Sequence, residues 1–107
     1  MTAVVDAVEH DRGIDDTGTL AVIASLEQVD AVSDAVSRRF GAAAGRGASG
    51  LAKPIVVLTA QDAKGLEFDA VVIADPDAIV AESPRGPSAL YVAMTRPTQR
   101  LTLVRAS

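Results

Sequence analysis

The chain of 107 residues contains no cysteine, which excludes disulfide frameworks and thiolate metal sites. Its one histidine, His10, cannot form a zinc site alone, so we predict no metal site. No apolar run approaches the ~18 residues that cross a membrane, and the N-terminus lacks a basic-then-apolar signal pattern. These absences favour a cytoplasmic protein with no membrane partner.

Aromatic residues and positive charge are also scarce. Aromatics make up 3% of the chain, so the core must be built from Ala, Val, Ile and Leu, as in layered α/β folds. The formal net charge of −4 argues against a domain that is basic overall, as many nucleic-acid-binding domains are. Any contact with nucleic acid must therefore be local.

Both sequence motifs of a hydrolytic nucleotide site are missing. The glycine-rich stretch 41–53 contains a G-x-G-x-x-G match and P-loop-like glycines, but it follows a helix. Leu51 and Ala52 also stand where a P-loop needs lysine and Ser/Thr. Asp75 follows four aliphatic residues as a magnesium-binding aspartate would, but Pro76 replaces the glutamate expected next. We interpret 41–53 as a flexible connection and Asp75-Pro76 as a turn that ends a strand.

The apolar pattern predicts alternating strands and helices. Residues 1–17 are acidic with a weak apolar pattern, and are predicted to form a flexible lead-in, with one short helix as the alternative. Ser25 and Gln28 have the spacing of a capping box at the start of an amphipathic helix that ends near Gly41. Pro87 is placed to begin a second helix, which Pro97 ends. Short apolar runs predict strands at 19–24, 55–59, 69–74 and 101–104, and hence a parallel sheet with right-handed crossovers.

Polar residues concentrate in two places, at 61–69 and at Thr95-Arg96. A lysine, a glycine and a carboxylate suit a nucleotide, and an arginine at the end of a packed helix suits a polyphosphate. Taken singly, Glu67 is better explained as a surface carboxylate after a turn, and Arg96 is ordinary as a helix-end arginine near the negative dipole. The residues alone therefore define a partial site without a nucleophile, a metal cage or a phosphate cradle.

Two stretches resemble conserved helicase motifs. Residues 59–68, with the run AKGLEF intact, resemble motif V of the UvrD/Rep-type superfamily 1 helicases. LYVAMTR at 90–96, followed by LTL at 101–103, resembles motif VI. The resemblance implies the second RecA-like domain of such a motor over residues 18–107. It implies an α/β three-layer sandwich with a mostly parallel sheet of about four to five strands and flanking helices.

The resemblance also implies roles for residues that face a nucleotide. Arg96 would be the catalytic arginine that contacts the γ-phosphate from across an interdomain cleft. Gly65 and Glu67 would meet the ribose and triphosphate, and Lys64 would line the cleft as a further nucleotide-binding residue. The cofactor would be ATP with Mg²⁺ in the full-length parent only, and the required partner would be the parent's N-terminal RecA-like domain. This chain alone would not hydrolyse ATP.

Thr59 and Gln61 would face single-stranded DNA. Many family members have histidine where this chain has Gln61, which retains hydrogen bonding but differs from the family pattern. The short stretch 41–53 stands where many members insert a large subdomain, and this resembles HelD-like proteins that act on RNA polymerase. The leading hypothesis is thus a DNA helicase or translocase domain. The alternatives are a HelD-like ATPase domain that remodels RNA polymerase and a stand-alone α/β interaction module.

Overall fold

A computed structural model describes residues 2–105 and shows one parallel five-stranded sheet flanked by helices. Met1, Ala106 and Ser107, which fall within the predicted ranges 1–17 and 18–107, lie outside the described residues. The helices are α1 (Thr2–Ile14), α2 (Val29–Phe40), α3 (Ala60–Ala63), α4 (Pro76–Ala81) and α5 (Gly86–Met94). The strands are β1 (Leu20–Ala24), β2 (Ala44–Arg46), β3 (Ile55–Thr59), β4 (Phe68–Ala74) and β5 (Pro97–Val104), in the order β2-β3-β1-β4-β5.

The three central strands are buried on both faces. Every residue of β1 and β3 is buried, and so is every residue of β4 except Asp69. Continuous aliphatic runs suit this position because helices cover both faces of a parallel sheet. Leu20 of β1 lies level with Ile55 of β3 and Ala70 of β4. The predicted α/β sandwich with a parallel sheet is confirmed.

Alternate strand residues enter two separate cores. On one face α1 and α2 pack through Val8, Val32 and Val36 against residues such as Val22 and Val72. On the other face α3, α4 and α5 pack against the remaining strand side chains. That second core contains Ala21, Ile23, Val56, Leu58, Ala60, Ala63, Phe68, Val71, Ile73, Ile79 and Ala93. The two cores make the fold a three-layer sandwich.

The N-terminal segment corrects a sequence-based expectation. Instead of the flexible lead-in predicted for 1–17, most of this segment forms the alternative helix, α1, which packs on the core with Val4, Val8 and Asp11 buried. The Asp11 carboxylate accepts hydrogen bonds from Arg100 Nε at 2.7 Å and from the second terminal nitrogen of Arg100 at 3.1 Å. The same hydrogen bonding raises the pKa of Arg100 above its ordinary value. Because the partner is 89 residues away, local sequence could not reveal that Asp11 is buried.

Replacing Val8 by alanine should test whether α1 belongs to the core. Val8 is fully buried, so the change should lower the free energy of unfolding by about 2 kcal/mol through lost burial and the cavity left behind. Ile14→Ala is the control, because Ile14 lies in the same helix and is 59% exposed. Urea unfolding of both variants measures the difference, and equal effects would show that α1 does not contribute to the core.

The glycine-rich stretch 41–53 is also more ordered than predicted. It contains 3₁₀ turns at Gly41–Ala43 and Ala48–Gly50 on either side of the edge strand β2, which pairs with β3. A β-carbon on Gly45 would lie 2.8 Å from the α-carbon of Gly50, so this chain reversal requires small residues. The pattern predicted a connection without a strand because β2 has only three residues, Ala-Gly-Arg.

Helix capping differs from the sequence prediction at two places. Gln28 does not form a capping box with Ser25, because its side-chain amide donates to Asp75 Oδ2 at 2.9 Å. The capping box occurs instead at Thr59 and Asp62, where α3 begins. Asp75 is the N-cap of α4, and Pro76 occupies the first turn of that helix, so the predicted turn continues as a helix.

Candidate functional site

The segment that resembles motif V runs from one edge of the sheet to the other. It leaves β3 at Thr59, at the carboxyl ends of the strands, and enters β4 at Phe68, at their amino ends. Between them lie the single turn of α3 and the loop Lys64–Glu67. Because a strand rises about 3.3 Å per residue, the seven residues of β4 separate the two edges by roughly 20 Å. The predicted site residues therefore form two groups.

Thr59 and Gln61 form the group at the carboxyl edge. Thr59 is 7% exposed, and its hydroxyl oxygen accepts a hydrogen bond from the Asp62 backbone nitrogen at 3.2 Å. Asp62 Oδ2 lies 3.5 Å from the Thr59 nitrogen and closes the capping box. Gln61 is exposed on the first turn of α3. Thr59 thus fixes where α3 begins, and α3 directs the Gln61 amide into solvent.

Gly65, Glu67 and Arg96 form the group at the amino edge. The Arg96 side chain donates to Leu66 O at 3.2 Å through one terminal nitrogen and to Thr95 Oγ1 at 3.2 Å through the other. Its Nε donates to Val92 O at 3.1 Å, and the Phe68 nitrogen donates to Arg96 O at 3.1 Å. Arg96 therefore ties the end of α5 to the loop that contains Gly65 and Glu67.

The loop geometry at Gly65 depends on glycine. Gly65 has φ +81°, a conformation that residues with a β-carbon rarely adopt, and no atom would contact a β-carbon placed there. The Leu66 nitrogen donates to Ala63 O at 3.0 Å, which closes the turn after α3. Glu67 follows with an exposed side chain, directly before β4. The turn leaves the Gly65 backbone open to close approach by a ligand.

Arg96 combines a fixed position with unused hydrogen-bonding capacity. Its three hydrogen bonds use three of the five N–H groups of a guanidinium, which leaves one on each terminal nitrogen. Within residues 2–105 no carboxylate forms an ion pair with it. A permanent positive charge held in a rigid fork, half-buried and not neutralised, suits an anionic ligand with several oxygens.

Lys64 lines a groove with Gln61. The groove lies between α3 and α5 and has a volume of about 400 Å³. Its lining residues are Ala60, Gln61, Lys64, Arg85, Ser88, Ala89 and Val92. No sequence pattern singles out Arg85 or Ser88, because they follow an irregular Ser-Pro stretch and precede the motif VI run. Only the packing of α5 beside α3, with both helices running from the carboxyl edge toward the amino edge, brings them to Gln61.

The crevice between β1 and β4 is a second place where a ligand would be expected. Connections leave these neighbouring strands toward opposite faces, and open α/β folds commonly bind ligands outside the carboxyl ends of such strands. Here protein groups fill it, because Gln28 bonds to Asp75 and the Leu26 nitrogen donates to Glu82 Oε2 at 2.9 Å. The two carboxylates disfavour a phosphate at this crevice.

Across residues 2–105, no group of three or more His, Asp or Glu side chains is placed to hold a metal ion. In the same part of the chain no helix is long and apolar enough to cross a membrane.

Comparison with known proteins finds a family model that matches the region of the two motifs. Residues 54–104 match the model of the UvrD-like helicase C-terminal domain. The whole structure is similar to the C-terminal domain of a possible DNA helicase from Lactobacillus plantarum WCFS1, at 29% identity and a TM-score of 0.77. That alignment covers 99% of this chain and 68% of the other. A search of curated protein sequences found no match.

More distant structures share the fold alone. The Hef helicase domain of Pyrococcus furiosus aligns at 17% identity and a TM-score of 0.59, over 97% of this chain and 24% of that one. The C-terminal part of the Fun30 ATPase domain aligns at 14% identity and a TM-score of 0.56, over 97% and 41%. The predicted resemblance is confirmed: residues 54–104 match the UvrD-like helicase C-terminal domain, and the chain has the RecA-like fold of such a domain.

Proposed function

We propose that this chain is the C-terminal motor domain of an ATP-dependent DNA helicase or translocase. Arg96, Gly65 and Glu67 would form one wall of an ATP site, and an N-terminal RecA-like domain of the same parent would supply the phosphate-binding loop and the Mg²⁺ ligands. Thr59 and Gln61 would face single-stranded DNA. ATP with Mg²⁺ would bind only where both domains meet.

The observation that carries the proposal is the hydrogen bond from Arg96 to Leu66 O. It places a guanidinium with free N–H groups beside the open backbone of Gly65 and the exposed carboxylate of Glu67. A guanidinium can stabilise the charge of a transferring phosphoryl group, and a carboxylate can accept hydrogen bonds from ribose hydroxyls. One wall of a nucleotide cleft needs these groups, and they occur together at the amino edge.

The separation of the two groups supports a coupling role. The segment from Thr59 to Phe68 has one end at each edge of the sheet, and α3 joins them. A shift of Arg96 on nucleotide binding would act on the loop at Leu66, and thereby on the helix that directs Gln61. Such a connection suits a motor in which hydrolysis changes the grip on nucleic acid.

A HelD-like ATPase domain that acts on RNA polymerase is the second candidate. One observation favours it: β1 and β3 are joined by α2, two 3₁₀ turns and the three-residue β2, without an inserted subdomain. The parent would then use ATP hydrolysis to remodel the polymerase, with the same arginine in the same role. The two candidates differ in what stimulates ATP turnover.

The chain alone should show no ATP turnover and weak ATP binding, because it contains one wall of the cleft. Joined to its N-terminal RecA-like domain, it should hydrolyse ATP at a rate typical of enzymes, about 1 per second or faster. Steady-state phosphate release measures turnover, and calorimetry measures binding. Micromolar ATP binding by the chain alone, or an inactive joined protein with both domains folded, would contradict the proposal.

A further inference from the structure

We infer that the α3/α5 groove, lined by Gln61, Lys64, Arg85 and Ser88, holds the phosphodiester backbone of single-stranded nucleic acid. The inference rests on the proposed function and extends it, because it adds Arg85 and Ser88 to the nucleic-acid contacts. It also moves Lys64 from the nucleotide site to the groove. The argument depends on the charges, on the donors in the groove and on its place in the fold.

Half of the ten basic residues of this acidic chain form ion pairs. Five arginines form ion pairs with carboxylates: Arg38, Arg39, Arg46, Arg100 and Arg105. The other five basic residues form no ion pair within residues 2–105, and two of them, Lys64 and Arg85, line the same groove. The groove thus keeps two positive charges that the protein does not neutralise.

The groove presents hydrogen-bond donors and no lining carboxylate. Its polar lining consists of the Lys64 ammonium, the Arg85 guanidinium, the Gln61 amide and the Ser88 hydroxyl. Across the described part of the chain, none of these side chains has a protein hydrogen-bond partner. The neighbouring Asp62 carboxylate is turned to the Thr59 nitrogen. Four free donor groups around one groove match phosphate oxygens, which only accept hydrogen bonds.

The position of the groove favours nucleic acid over the ATP phosphates. Gln61 and Lys64 belong to the helix and the cap that leave the carboxyl edge, and Arg85 precedes the first turn of α5 at the same end. Arg96, by contrast, follows the far end of α5. The half-buried Ala89 and Val92 give the groove an apolar floor. The groove can therefore bind the sugar–phosphate backbone of a strand through contacts that do not depend on its base sequence.

The test is a titration of the ¹⁵N-labelled chain with single strands of about 15 thymidines or 15 uridines, a length that covers a typical single-strand site. Amide signals of Gln61, Lys64, Arg85 and Ser88 should shift with both, since the shared ligand is the backbone. The double variant Lys64→Gln/Arg85→Gln should bind about tenfold more weakly or worse, and its affinity should depend less on salt. Lys53→Gln is the matched control, because Lys53 is exposed at the opposite edge of the sheet, and it should bind within about twofold of the unaltered chain.

The possible outcomes distinguish a failure of the groove as a binding site from a failure of the proposed function. No shift with either oligonucleotide at low salt would overturn both the groove and the proposed nucleic-acid contact. Shifts at other residues, with affinity unchanged in the double variant, would overturn the groove and leave the proposed function standing. Equal shifts with inorganic phosphate at the same phosphate concentration would assign the groove to a free anion and overturn it as a backbone site. The amide spectrum of each variant also reports whether it is folded.

Discussion

Arg96→Ala, in a protein that joins this chain to the N-terminal RecA-like domain that we propose, should lower kcat for ATP by about a thousandfold or more. The KM for ATP should change only a few-fold, because the arginine would act on charge that develops as the γ-phosphoryl group transfers. Arg96→Lys should recover little of the loss, since an ammonium cannot reach Leu66 O, Thr95 Oγ1 and a phosphate oxygen together. Steady-state kinetics at several ATP concentrations separate kcat from KM.

The control for Arg96→Ala is Arg105→Ala. Arg105 also lies near the end of the motif VI region, but it is exposed and pairs with Asp77 at 3.5 Å, so its loss should leave kcat within about twofold. Thermal unfolding of each variant shows whether the hydrogen bonds of Arg96 also stabilise the fold. An Arg96→Ala protein that is folded and turns over at the unaltered rate would remove the arginine from the mechanism.

Gly86→Ala should be the most destabilising single methyl addition in this region. A β-carbon on Gly86 would lie 1.9 Å from Val80 O and 2.5 Å from Val80 C, which are backbone atoms that no rotamer change can move. Helices α4 and α5 would have to separate, and the helix that carries Arg96 and one wall of the groove would move with them. We expect the free energy of unfolding to fall by about 3 kcal/mol or more.

Gly13→Ala is the matched control for Gly86→Ala. Gly13 lies in α1, and no atom lies within 4 Å of a β-carbon built there. Alanine at that position should stabilise the protein by about 0.5 kcal/mol, because it favours the helix and adds no clash. Denaturant unfolding of both variants gives the comparison. Equal stability of the two would show that α4 and α5 are not in close contact at Gly86.

Local patterns predicted the central elements well. The strands β1, β3 and β4 are unbroken aliphatic runs, because both faces of each are covered, and the structure has them within one residue of the predicted bounds. The helix α5 was predicted from Pro87 and the apolar run that follows, and it begins one residue earlier. These elements are determined by residues within a short window of sequence.

The features that the sequence did not predict depend on contacts between residues that are far apart in the chain. From local sequence alone Asp11 would be placed on the surface, but in the structure it is paired with Arg100. Gln28 would likewise be a capping residue, but its side-chain amide donates to Asp75 instead. The strand β5 begins at Pro97, which the pattern predicted only as the end of a helix, because a proline can open an edge strand. Likewise, no spacing rule places Arg85 beside Gln61. These contacts form only when the sheet order is set.

The candidate site residues were also predicted correctly only in part, because their grouping depends on the three-dimensional path of the chain. The sequence grouped Gln61, Lys64, Gly65 and Glu67 as one cluster at one sheet edge. The structure divides this cluster, because the segment passes from the carboxyl edge to the amino edge through α3. The amino edge is not where open α/β folds usually bind ligands, and the groups found there form only one wall of a site. This geometry is the reason we propose a shared rather than a self-contained ATP site.

The dependence of ATP turnover on single-stranded DNA in the joined two-domain protein tests the central proposal most directly. We predict that phosphate release rises at least about tenfold on addition of single-stranded DNA, and that the rise is lost at high salt, where phosphate contacts weaken. Purified RNA polymerase should not replace the DNA. An ATP turnover rate that does not change with single-stranded DNA and rises only with RNA polymerase would contradict the helicase proposal and favour the polymerase-remodelling alternative.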